Sequence, residues 1–136
     1  MSITLENATI VIVEDDVNSY MATMDLLRME GAQSIHACTS GQEAMQLINT
    51  LSGVDLFLVD IYMPGETGYG LIKRIRAHPK VKDSKVVALT ASVMYDDIKR
   101  VQEAGFDSFI GKPVRPGRFG DQVRQILTGE ALWQWR

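Results

Sequence analysis

Five short apolar runs, each followed by a stretch with helical spacing, constrain this 136-residue chain more than any other feature. The runs are Ala8–Val13, Ser34–Cys38, Val54–Asp60, Lys85–Leu89 and Asp107–Gly111. Their length and apolar, partly β-branched content predict strands. The third is so dense in apolar residues that it suits a strand buried on both faces.

Between them, Val17, Tyr20, Met21, Met24 and Leu27 recur at helical spacing through about Glu30, with Asp16 as N-cap and Gly31 closing the helix. Ala44, Leu47, Ile48 and Leu51 mark a second helix, opened by Thr39-Ser40-Gly41 and ended by Ser52-Gly53. A third carries Leu71, Ile72 and Ile75 and stops at His78-Pro79, because proline cannot continue the hydrogen-bond ladder. Met94, Ile98, Val101 and Ala104 predict a fourth helix, stopped by Gly105. Phe119, Val123, Ile126 and Leu127 predict a fifth, up to Gly129. Five strands alternating with five helices through short connections imply right-handed crossovers and a parallel α/β sheet between two helical layers.

The totals set the class. A chain of this length forms one domain with a real core. The net charge of −3 argues against a general nucleic-acid surface. A single cysteine, Cys38, excludes an internal disulfide and, within its apolar run, reads as a buried inert thiol. No apolar run approaches the roughly 20 residues that span a bilayer, and the N-terminus lacks signal-peptide character. The expectation is a cytoplasmic protein.

Chemistry gathers at the strand ends. The first strand runs into Glu14-Asp15, the third ends at Asp60, the fourth reaches Thr90 and the fifth runs into Lys112. In a parallel sheet these ends share one edge, where open α/β sheets place their ligands. Each residue alone suits a blander role: a helix cap, a solvated lysine, a structural threonine. Together, three carboxylates in one crevice repel and need a cation or protons. An all-oxygen, carboxylate-rich set suits a hard divalent ion, and Mg²⁺ best if one ligand is a phosphate oxygen. Asp60 could then act as a nucleophile that accepts a phosphoryl group. Lys112 and the metal would neutralise charge, and Thr90 would hydrogen-bond an oxygen.

Four segments carry a resemblance: Ile12-Val13-Glu14-Asp15-Asp16, Leu58 to Gly65, Ala88-Leu89-Thr90-Ala91 and Phe109-Ile110-Gly111-Lys112-Pro113. With them the chain resembles a response-regulator receiver domain of two-component phosphorelay signalling, over about residues 8–128. Residues 1–7 form a lead-in and 129–136 a tail. The resemblance implies a flavodoxin-like fold, strand order 2-1-3-4-5; a member of this family is itself a worked example of that order. It implies Asp60 as phosphoacceptor, and Glu14 and Asp15 as the acidic pair that holds Mg²⁺. The backbone carbonyl of Tyr62 completes the metal site. Thr90 is the switch hydroxyl, Lys112 the lysine that pairs with the phosphoryl group, and Phe109 the aromatic switch residue.

The expected partners are a sensor histidine kinase or a histidine phosphotransfer protein, and a downstream protein read by the face around helix 4, strand 5 and helix 5. Asn18, Tyr20 and Met21 on the first helix match kinase-selecting positions. Neither a nucleic acid nor a membrane is expected as partner, and the oligomeric state is a monomer or weak homodimer. The chain is either a stand-alone receiver or one cut from a larger regulator or hybrid histidine kinase. It is not expected to be an enzyme beyond its own phosphorylation and dephosphorylation.

Two departures stand out. Glu66-Thr67-Gly68 replaces the Met-Asp-Gly frequent after Pro64-Gly65, and Arg115-Pro116-Gly117-Arg118 is unusually basic. Trp133 and Trp135 in the tail suit packing on their own domain or a partner contact. Two rival classes fit less well. A haloacid-dehalogenase-type phosphatase needs a second acid two residues after its nucleophile, where this chain has Tyr62. A flavin or nucleotide module needs a phosphate loop after the first strand, where Glu14-Asp15-Asp16 would repel phosphate.

Overall fold

The computed structural model describes residues 3–91 and 94–129, with the backbone alone at Tyr95. Ser92 and the tail beyond Gly129, with Trp133 and Trp135, lie outside the described residues.

Strands and helices alternate as the apolar runs predict. They are β1 (Thr9–Val13), α1 (Val17–Met29), β2 (Ser34–Cys38), α2 (Gly41–Thr50), β3 (Leu56–Asp60), α3 (Gly68–Ala77), β4 (Lys85–Thr90), α4 (Tyr95–Ala104), β5 (Ser108–Gly111) and α5 (Phe119–Leu127). All pairings are parallel and the order is β2-β1-β3-β4-β5, the flavodoxin-like arrangement expected.

The two-residue period of a strand sorts the core into two layers. Val11, Val13, Phe57, Val59, Val86, Ala88 and Phe109 point to the side packed by α2, α3 and α4. Ile10, Ile12, Leu56, Leu58, Val87, Leu89 and Ile110 point to the other, packed by α1 and α5. Every residue of β3 is buried, as its unbroken apolar run requires. Cys38 is buried, and burial pushes its thiol up to about 12, consistent with an inert side chain.

Three details correct the sequence reading. Val17 and Met21 are 47% and 52% exposed. The inward row of α1 runs through Tyr20, Thr23, Met24 and Leu27, and Val17 and Met21 stand beside it. Met94 does not belong to the α4 stripe: it is the N-cap, in extended backbone, and 70% exposed. Several strands begin late. Ala8 closes a turn by donating its N–H to the Thr4 carbonyl at 2.9 Å. Val54 is buried but precedes the ladder. The Val86 N–H goes to the Asp107 carboxylate at 2.8 Å, so β5 starts at Ser108.

Candidate functional site

The chain passes from β1 outward to β2, then returns to pair β3 on the other side of β1. That reversal opens a crevice at the strands' carboxyl ends. Val13 stands opposite Val59 in the ladder, so Glu14 and Asp60 leave the sheet side by side. Asp60 is paired with Leu89, and Thr90 with Gly111. The register therefore brings Thr90 and Lys112 to the same edge.

Of the three acids after β1, Asp16 is the structural one. It caps α1, its carboxylate accepting from the Asn18 N–H at 3.0 Å. Glu14, Asp15 and Asp60 each place a carboxylate oxygen within 4.8 Å of the others. Glu14 and Asp60 are 2% and 6% exposed, and Asp15 is open to solvent. Lys112 Nζ lies 2.7 Å from Glu14 Oε2 and 3.5 Å from Asp60 Oδ2. Three carboxylates and one ammonium leave two formal negative charges, which one divalent cation would balance. The all-oxygen donor set is the chemistry of a hard ion such as Mg²⁺.

The protonation chemistry follows from the crowding. Burial raises the Glu14 carboxyl above its ordinary range; the Lys112 bond pulls it down, and Asp60 pushes it up again. Burial alone would lower the Lys112 ammonium, but Glu14 and Asp60 outweigh it and the net shift is upward. Lys112 is therefore a firmly charged group held between two buried acids.

The remaining predicted residues lie where the strands put them. Thr90 is 4% exposed at the end of β4. Phe109 is 1% exposed and packs inward among the α3–α4 side of the core. Tyr62 is 55% exposed. Lys112 joins Pro113 through a cis peptide.

Sequence reading missed two backbone donors. The Tyr62 N–H donates to Asp60 Oδ1 at 3.1 Å, and the Asp16 N–H to Glu14 Oε1 at 3.2 Å. Each fixes one oxygen of a site carboxylate. Backbone groups leave no mark in residue identity, so no sequence signal pointed to them.

A family model described as the response regulator receiver domain matches residues 10–124. A two-component response regulator of Oryza sativa subsp. japonica is 30% identical over 86% of this chain and 56% of that protein, so the chain spans about half of that relative's length. The polar-differentiation response regulator DivK of Brucella ovis is 29% identical over 88% of this chain and 95% of that one. Among solved structures, the receiver domain of a sensor histidine kinase from Pseudomonas aeruginosa PAO1 has a magnesium ion coordinated in its active-site cleft. It superposes with a TM-score of 0.77 at 24% identity, over 90% of this chain and 98% of that one.

Proposed function

This chain belongs to the response regulator receiver domain family of two-component signalling, and we propose that it acts as a phosphoacceptor through Asp60. In this reading an Asp60 oxygen attacks the phosphorus of a phosphohistidine. The donor is a sensor histidine kinase or a histidine phosphotransfer protein. An O–P bond forms as the P–N bond breaks, and the electron pair returns to the imidazole nitrogen. Glu14, Asp15, Asp60 and the Tyr62 carbonyl would hold Mg²⁺, which when bound neutralises charge on the phosphoryl oxygens.

The chain's own residues do the rest. The Tyr62 N–H fixes Asp60 Oδ1, leaving Oδ2 on the Lys112 side. Lys112 keeps its proton and offers a fixed counter-charge to the incoming group. Thr90 then donates its hydroxyl to a phosphoryl oxygen. Phe109 occupies the inward position here, and an outward rotamer would be its alternative. The two positions bias the face formed by α4, β5 and α5, where a downstream protein reads the state. The domain catalyses only its own phosphorylation and dephosphorylation, in the cytoplasm; no described helix is long and apolar enough to cross a membrane.

One observation carries the reading: Lys112 is shared by two buried acids, one of which is Asp60. Incubation with acetyl phosphate and Mg²⁺ should add one phosphoryl mass to the intact chain. No adduct, or an adduct that survives Asp60→Asn, would overturn the assignment.

A further inference from the structure

The loop between β3 and α3, residues 61–67, carries Tyr62, whose N–H donates to Asp60 Oδ1 and whose carbonyl the phosphoacceptor reading gives to the cation. Its base is closed by the Gly68 N–H, which donates to the Ile61 carbonyl at 2.9 Å. Gly68 permits that closure: a Cβ there would lie 3.0 Å from the Asp60 carbonyl oxygen and from Ile61 Cα. The far side of the loop is held differently. Glu66 reaches across to Arg74 on α3, with Oε1 2.6 Å from Nη1. The same carboxylate lies on Gly41, the first residue of α2, where the positive end of the helix dipole favours it.

Two glycines make room for Glu66. A Cβ at Gly41 would overlap Glu66 Oε1 and stand 3.0 Å from its Cδ. A Cβ at Gly70 would stand 3.2 Å from its Cγ. Gly41 has no left-handed backbone to explain it. It opens a buried helix start, where alanine would ordinarily serve better. The space it leaves is occupied by the Glu66 carboxylate. An exposed ion pair such as Glu66–Arg74 contributes little stability by itself, so its consequence is sought in position.

We propose that Glu66, seated on Gly41 and tied to Arg74, is a positioning residue that holds the Tyr62 backbone in place for the cation. This rests on the phosphoacceptor reading above. It assigns Glu66 no contact with the metal or the phosphoryl group.

The test is a Mg²⁺ titration of the full chain, followed by backbone amide chemical shifts around Asp60 and Tyr62, with melting temperature measured beside it. Glu66→Ala should raise the half-saturating Mg²⁺ concentration by about tenfold, the low end for partners that orient metal ligands. Glu66→Gln, which keeps the shape, should restore part of it. Gly41→Ala should shift the half-saturation in the same direction as Glu66→Ala. In the Glu66→Ala background it should add nothing, because the colliding carboxylate is gone. Unchanged half-saturation in Glu66→Ala, with a normal wild-type response, overturns this proposal alone. So does a Gly41→Ala effect that is equal with and without Glu66. A wild-type chain with no Mg²⁺-dependent shift overturns the site reading itself, and this proposal with it.

Discussion

At its amino edge the sheet presents an acid, a hydroxyl and a lysine: Asp55, Ser84 and Lys80. At its carboxyl edge it presents the same three types: Asp60, Thr90 and Lys112. The amino-edge groups close onto backbone. Asp55 Oδ2 accepts from the Thr9 N–H at 2.8 Å, and Ser84 Oγ donates to the Val54 carbonyl at 2.5 Å. Lys80 Nζ donates to the carbonyls of Ile48 and Leu51 at the end of α2. A groove of about 490 Å³ opens there, but these polar groups are already committed. At the carboxyl edge Lys112 is shared between Glu14 and Asp60. Residue type does not distinguish a site from a scaffold here. What distinguishes them is that the amino-edge groups close onto backbone, whereas the carboxyl-edge acids outnumber their lysine and keep an excess of negative charge.

The sharpest way to break this comparison is to neutralise one acid at each edge. Asp60→Asn should abolish the phosphoryl adduct. In metal-free protein it should also raise the melting temperature, because Asp60 is one of the groups that push Glu14 toward its protonated form. Asp55→Ala should do the opposite. It strands the Thr9 N–H and should cost about 1–3 kcal/mol in denaturant unfolding, while the rate of adduct formation stays at the wild-type value. If Asp60→Asn destabilised and Asp55→Ala blocked phosphorylation, the two edges would have been assigned the wrong way round.

The hydroxyl at the amino edge gives a smaller effect. Ser84 is buried and its proton goes to a buried carbonyl. Ser84→Ala should lower stability by about 1 kcal/mol in the same unfolding measurement. Mg²⁺ binding and adduct formation should not change. A loss of either would mean that the amino edge is coupled to the chemistry across the sheet.

Much of the carboxyl edge was legible because strand ends are punctuated in the sequence. Apolar runs stop at Glu14, Asp60 and Lys112, and parallel pairing then forces those ends together. The covering of the sheet was legible too, since β3 could be apolar throughout only if both faces were buried. The cap of α1 was legible as well: Asp16, expected in that role, takes it with an extended φ, ψ. Two things were not. Which face of α1 turns inward depends on where α5 packs, so Val17 and Met21 share the apolar spacing yet stand exposed. The Gly41–Glu66 contact joins residues far apart in sequence through a missing side chain, and periodicity says nothing about that.

The smallest expected effect is on the pH dependence of stability, and it comes from Glu14 at the carboxyl edge. Glu14 is raised in the fold above its ordinary 4.5. Between 4.5 and the raised value the folded chain holds more protons than the unfolded chain, so stability falls as pH rises through that window. Lys112 acts at the opposite extreme. It is raised above 10.5, so its contribution is complete below 10.5 and is lost only as pH rises through its folded value. Melting temperatures of metal-free protein from about pH 4 to pH 7 therefore isolate Glu14 from Lys112. The wild-type chain should lose stability across that range relative to Glu14→Gln. Asp60→Asn should show a shallower decline, because one of the charges acting on Glu14 is gone. Parallel curves for wild type and Glu14→Gln would mean that the buried acids do not strain the fold, and the contrast between the two edges would then rest on geometry alone.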